Sequence, residues 1–320
     1  MKNIIELMSS ELSLSVLDIQ ALVRRAPFTY KKYSIPKKGK GRRSIAQPAK
    51  ETKYLQHWLI KNVYSELPVH EASCAYSKGS SIKKNANIHR KNAYICKFDF
   101  KDFFTSIKLA DLELHFSKHI GKVFSQDDIK LMARVCCIKQ NSGQLGLSIG
   151  APTSPLLSNS IMYELDILLT KWAADNEMAY SRYADDLVFS TNVKRMSSEV
   201  EPALRRFIRQ LEYPNLRLNN KKTVHLSMKT RRSVTGLVIT NDQKISIGRD
   251  RKRKISAMIH KFINGDLEEE QILELQGLLG FAKGMEPLFI QRMTKKYGNE
   301  ALRTIFKMRK DPMSPWRRLK

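Results

Sequence analysis

The stretch SRYADDLVFS, residues 181–190, sets Asp185 and Asp186 side by side inside an apolar, β-branched and aromatic run. Such a run reads as two short strands around a tight turn. Two adjacent carboxylates at a turn restrict what can surround them, because crowded like charges stay ionised only where a cation or water offsets them. Aspartate favours turns on its own account, so the pair takes its meaning from the rest of the chain.

That context is a second strand ending in an acid. The segment KNAYICKFDFKDFFTSI (91–107) begins as a strand with apolar residues on both faces, the pattern of a central strand, and Asp99 closes it. Between the two acidic sites, APTSPLLSNSIMYELDILLTKW (151–172) reads as a buried helix. Ser154 and Pro155 serve as its N-cap and first-turn proline, and Leu157, Ile161, Leu165, Leu168 and Trp172 recur at helical spacing. Asp99, Asp185 and Asp186 are therefore the candidate catalytic and metal-binding residues. Oxygen-only ligands suit Mg²⁺, which keeps waters and takes its remaining ligands from substrate phosphates; a pair of such ions drives in-line nucleotidyl transfer, and Mn²⁺ is a possible substitute. Strand alternation ranks Asp185 as the ligand and Asp186 as a weaker partner.

Charge narrows the partner. Lysine and arginine number 57 against 31 acids, a net charge of +26 with pI near 9.9, which points to nucleic acid. No long apolar segment or concentrated basic amphipathic helix speaks for a membrane. The opening MKNIIELMSSELS carries Glu6 and Glu11 and does not read as a signal peptide, so a cytoplasmic location is expected. Cys74, Cys96, Cys136 and Cys137 form no C-x-x-C pair and read as reduced, buried thiols. His115 and His119 share an i,i+4 spacing without a third ligand and read as surface residues. Further elements follow from pattern: a helix over 13–25 capped by Ser15, a basic hairpin over 33–50, a helix from Glu51 to Leu67, a helix near 197–211, a hairpin over 233–249 turning at Asn241 and Asp242, and basic helices from Arg249 onward.

Taken in order, FDFKDFF (98–104), GAPTSPLLSN (150–159) and YADD (183–186) resemble the palm of reverse transcriptases, over roughly residues 35–250. NANIH (85–89) and VTG (234–236), followed by IGR (247–249), make the chain similar to bacterial retron reverse transcriptases in particular. The resemblance implies an α+β, right-hand polymerase fold with fingers, a palm of antiparallel sheet and helices, and a short helical thumb. The expected division is 1–90 for N-terminal helices and fingers, 91–232 for the palm with part of the fingers (115–150), and 233–320 for a primer-grip hairpin and basic thumb.

The resemblance also assigns roles. Asp99, Asp185 and Asp186 become the metal triad. Arg43, Asp102, Phe104, Gly150 and Lys222 become nucleotide-binding: Arg43 and Lys222 at the triphosphate, Asp102 near the sugar, and Phe104 as the ring that disfavours a ribose 2′-hydroxyl and so selects dNTPs. Ile149 departs from the glutamine common in the family. Asn85, His89, Val234, Thr235, Gly236, Arg249, Arg251, Lys252 and Arg253 become RNA-binding, with the cations of 292–320 adding to the phosphate-tracking surface. The implied function is reverse transcription of a cognate structured noncoding RNA, primed from its own 2′-hydroxyl, into branched multicopy single-stranded DNA. It further implies bacterial antiphage defence with a separate effector protein, and template removal by a host RNase H. The alternatives are a reverse transcriptase of another bacterial group, such as a group II intron relative, and a catalytically inactive RNA-binding polymerase relative.

Overall fold

The computed structural model describes residues 3–37, 39 and 41–308; Lys38 and Lys40 of the basic hairpin, and the basic terminus from 309, lie outside them. The chain divides into two compact units, one of residues 1–81 with 92–226 and one of 82–91 with 227–320.

The first unit starts with two capped helices. In α1 (Ile4–Leu12) the Asn3 side chain accepts from the Ile5 and Glu6 N–H groups; in α2 (Val16–Arg25) the Ser15 hydroxyl accepts from Asp18 N–H, the one cap of the two that the sequence predicts. Strands β1 (Tyr30–Pro36) and β2 (Arg42–Pro48) then form an antiparallel hairpin whose residues are mostly exposed. Helix α3 (Lys50–Asn62) stops short of the expected Leu67: the chain leaves helical geometry at Val63, and Tyr64 turns inward to donate to Met132 O at 3.1 Å. Helix α4 (Ile82–His89) belongs to the second unit.

Strand β3 (Tyr94–Asp99) leads through α5 (Phe103–Ser106), α6 (Leu109–Ile120), α7 (Gln126–Cys136) and the two-residue strands β4 (Ile138–Lys139) and β5 (Leu145–Gly146) to α8 (Thr153–Ile161) and α9 (Tyr163–Asp175). The predicted single helix is thus two. Met162 leaves ideal helical geometry and splits it, while the first helix begins two residues early, with Pro152 at the cap position and Ser154 inside the first turn. The acidic hairpin is β6 (Ala179–Tyr183) and β7 (Asp186–Thr191), followed by α10 (Met196–Gln210) and β8 (Val224–Leu226). These build a four-stranded antiparallel sheet in the order β6-β7-β3-β8, so β3 is central, as its two apolar faces require. Phe98, Leu187 and Phe189 of the sheet are buried with Leu112, Phe116, Leu157, Leu165 and Leu204 of the helices, each contributing roughly 1.5–3 kcal/mol of burial. The four cysteines are buried and none is in a disulfide, as expected.

In the second unit α4 packs on a three-stranded sheet ordered β11-β10-β9, from β9 (Arg232–Val234), β10 (Leu237–Ile239) and β11 (Ile245–Ser246). The predicted turn at Asn241 and Asp242 joins β10 to β11, and the sheet has one more strand, β9, joined to β10 by a turn at Thr235 and Gly236. Helices α11 (Arg249–Ile263), α12 (Glu269–Met285), α13 (Pro287–Tyr297) and α14 (Asn299–Lys307) complete it, burying Ile255, Ile259, Leu275, Leu279, Leu302 and Ile305. No helix among the described residues is long and apolar enough to cross a membrane.

Candidate active site

Register brings the acids together. Asp99 at the end of β3 lies opposite Asp186 at the start of β7, and Asp185 sits in the two-residue turn between β6 and β7. One oxygen from each of Asp99, Asp185 and Asp186 falls within 4.8 Å of the others. Alternation along a strand would separate the adjacent pair, but Asp185 is in the turn, where that rule has no hold, so both reach Asp99. Asp99 is only 4% exposed. It accepts from Lys222 Nζ at 2.7 Å and from Asn219 Nδ2 at 3.2 Å, and its carbonyl accepts from Asn219 N–H at 2.8 Å.

Desolvation and then the charge of Asp99 raise the carboxyl of Asp185 above the usual range. Desolvation, followed by Asp185 and Asp99, pushes Asp186 up to about 6. Partial desolvation opposes the charge on Lys222, but the Asp99 hydrogen bond and the three carboxylates outweigh it and raise that amine. A crowded all-oxygen donor set whose own repulsion disfavours full ionisation fits a hard divalent cation.

Asp99 and Asp185 face a cavity of ≈ 1110 Å³. It is lined by every nucleotide-binding candidate of the sequence reading: Arg43, Asp102, Phe104, Gly150 and Lys222. Arg43 projects from β2, where it pairs with Ile35 of β1. Asp102 adopts φ +51° and opens α5, so that Phe103 stacks on Phe100 in the core while Phe104 meets Phe103 edge-on and faces the cavity. Gly150 has φ +120°, and a Cβ there would come within 2.9 Å of Ile45 Cγ2 and 3.0 Å of Ala46 O. Only glycine lets this loop lie against β2; Ala46 N–H donates to Ile149 O at 2.8 Å and Ser148 Oγ to Ala46 O at 3.3 Å. Ile149 itself lines the cavity.

The second unit gathers the remaining motifs. Asn85 and His89 are both 0% exposed, on the face of α4 turned to the small sheet, and Val234 is equally buried. Asn85 Nδ2 donates to Thr235 Oγ1 at 3.5 Å, and Thr235 Oγ1 donates to Ile82 O at 3.2 Å. Asn85, His89 and Val234 are thus buried inside the unit, with Asn85 bonded to the turn at Thr235. Gly236 at that turn is exposed, as are Arg249 and Arg253 on α11. Arg251 donates to Ile247 O at 3.1 Å, and Lys252 pairs with Glu286 at 2.6 Å. The reading of His115 as a surface residue is corrected: it is 1% exposed, sharing a 2.7 Å hydrogen bond with Ser160 Oγ, because α6 turns that face into the core.

Residues 35–255 match the family described as Reverse transcriptase (RNA-dependent DNA polymerase). The Retron Ec83 reverse transcriptase of Escherichia coli is 37% identical over 295 residues, covering 91% of this chain and 94% of its own length. The chain belongs to the reverse transcriptases. The Retron Ec73 reverse transcriptase of Escherichia coli, 36% identical over 305 residues with 89% and 95% coverage, agrees in placing it among the retron enzymes. Apo telomerase from Candida tropicalis has a TM-score of 0.50 at 14% identity, over 86% of this chain and 60% of that one, which bears on fold alone: α+β, of the right-hand polymerase kind.

This reverse transcriptase is thus an RNA-directed DNA polymerase, a nucleotidyltransferase whose partner is an RNA template, in a family that works with divalent metals. Sequence reasoning missed Tyr76, which lines the cavity at φ +62° with its hydroxyl raised by burial and then by Asp185. It also missed Asn219, whose only signal was its place beside Lys222 in NNKKT.

Proposed function

We propose that the enzyme copies its own structured noncoding RNA into branched, multicopy single-stranded DNA, beginning from a 2′-hydroxyl of that RNA. The observation that carries the reading is the meeting of Asp99, Asp185 and Asp186 beside a cavity rimmed by cations. These three would hold two divalent ions, Mg²⁺ by preference with Mn²⁺ as substitute, which when bound activate the attacking hydroxyl and offset charge on the leaving pyrophosphate.

The chain's own side chains supply the rest. Lys222 and Arg43 meet the triphosphate, and Lys222, already held by Asp99, is placed to give a proton to the leaving group. The Phe104 ring closes the sugar side against a 2′-hydroxyl, with Asp102 beside it. Gly150 leaves room for close backbone approach, and Ile149 gives that wall an apolar surface. Arg249, Arg251, Lys252 and Arg253, with the Thr235–Gly236 turn braced by Asn85, His89 and Val234, hold the RNA by shape and backbone. We place this activity in the bacterial cytoplasm, in antiphage defence with a separate effector, and assign removal of the copied template to a host RNase H.

Purified protein incubated with its cognate RNA, Mg²⁺ and labelled dNTPs should yield label covalently attached to RNA. Asp185→Asn should bind the RNA and attach none. RNA that is bound yet never extended by the unaltered enzyme would overturn the proposal.

A further inference from the structure

Beneath the acid turn lies an arginine that no solvent reaches. Arg182, in β6, is 0% exposed, and all of its N–H donors find acceptors. Nε donates to both oxygens of Asp166 at 3.0 and 3.1 Å, and Nη2 donates to Asp166 Oδ2 at 2.6 Å and Asn159 O at 3.3 Å. Nη1 donates to Asn159 Oδ1 at 3.0 Å and to Ala184 O at 3.1 Å.

The last bond matters for the site. Ala184 has φ +57°, an unusual conformation for a residue with a side chain, and the next residue is Asp185. The same network reaches a second residue of the cavity lining. Asn159 Nδ2 donates to Ala75 O at 2.6 Å, and the next residue is Tyr76, also left-handed at φ +62° and lining the cavity. Backbone bonds run alongside: Arg182 N–H donates to Ala72 O at 2.9 Å and Cys74 N–H to Arg182 O at 2.7 Å. Two strained segments, each one peptide from a residue facing the cavity, are thus fixed to one guanidinium. Such strain persists only where its surroundings overdetermine it, and a fully satisfied buried network does that.

We propose that Arg182 is a positioning residue for the reaction. Through Ala184 O it sets where the Asp185 carboxylate stands relative to Asp99, and through Asn159 it sets the Tyr76 wall. The inference rests on the reading that the acid cluster holds divalent cations. It assigns Asp166 the complementary role of keeping the guanidinium charged and oriented, a role an exposed ion pair could not fill.

The test uses the full-length protein and measures Mn²⁺ affinity without substrate by electron paramagnetic resonance, then dNTP KM and kcat on a primed RNA. Arg182→Lys keeps a charge against Asp166 but cannot span Asp166, Asn159 and Ala184 together. It should weaken Mn²⁺ binding by about tenfold or more and lower kcat at least as far, the range seen when groups supporting metal ligands are removed, with RNA affinity unchanged. Tyr180→Phe is the structural control: it deletes the hydroxyl that donates to Asp166 Oδ1 at 2.7 Å but leaves the Arg182 bonds to Asn159 and Ala184 in place; it should lower the melting temperature and leave Mn²⁺ affinity alone. If Arg182→Lys does not fold, Arg182→Met with Asp166→Leu leaves no lone buried charge and is read the same way. Wild-type Mn²⁺ affinity and kcat in the arginine variant, or an equal loss of affinity in Tyr180→Phe, overturns the proposal. If the unaltered protein binds no Mn²⁺, or Asp185→Asn binds it unchanged, the metal reading fails instead.

Discussion

Asp186 carries its proton to about pH 6, first because the surrounding protein desolvates it and then because Asp185 and Asp99 crowd it. A cation must displace that proton, so Mn²⁺ affinity should fall as pH drops through about 6 and level off above it, in a titration followed by electron paramagnetic resonance. The same shift bears on stability. A carboxyl whose folded pKa exceeds its unfolded value of 3.8 favours the folded chain while protonated, and that contribution is lost as pH rises through about 6. Without metal, Asp186→Asn should therefore stabilise the protein at neutral pH by about 1 kcal/mol, a figure discounted because Asp186 is exposed to solvent; denaturant unfolding measures it. Gly150→Ala should act the other way, losing about 2 kcal/mol to strain and collision with β2 and raising the dNTP KM. At this scale the grouping of the acids, and of Arg43, Phe104 and Lys222 around one cavity, was legible because short motifs carry these residues. Asn219 and Arg182 were not, since their roles depend on partners that only the fold brings near: Asp99, 120 residues from Asn219, and Asp166 and Asn159, 16 and 23 residues from Arg182.

Secondary structure followed periodicity where periodicity was strong. The Ser15 cap, β3 and α10 stand close to where the pattern put them, whereas the long helix read through Met162 breaks there, because apolar spacing continues across a kink that only backbone geometry reveals. The pairing of α4 with the Thr235–Gly236 turn was invisible to local pattern, joining residues about 150 apart. Thr235 is β-branched and sits at φ +46°, a strained position that its hydroxyl bonds to α4 help to hold. Asn85→Ala should cost about 1–3 kcal/mol through the unsatisfied polar groups it leaves. Hydrogen exchange should then quicken together in 82–91 and 232–239, with Mn²⁺ affinity unmoved; faster exchange in α4 alone would show that the two do not act as one element.

Across the molecule the net charge of +26 sets the terms on which RNA binds. Counterion release makes affinity for a polyanion fall steeply with salt, on the order of a thousandfold between about 50 and 200 mM if six or more phosphates are met. Replacing the exposed Arg249 and Arg253 with alanine should weaken binding evenly across RNA sequences and reduce the log–log salt slope by about 2. A slope left unchanged would place the phosphate contacts elsewhere. The division of the chain has a consequence for how the protein is made. Helix α4 emerges from the ribosome long before the strands beyond 227 that cover it, so the second unit cannot close until synthesis has run well past the polymerase acids. Until then its apolar face must be shielded by other means. A fragment beginning at 227 should aggregate when produced alone and regain its fold when a peptide of residues 82–91 is added in trans.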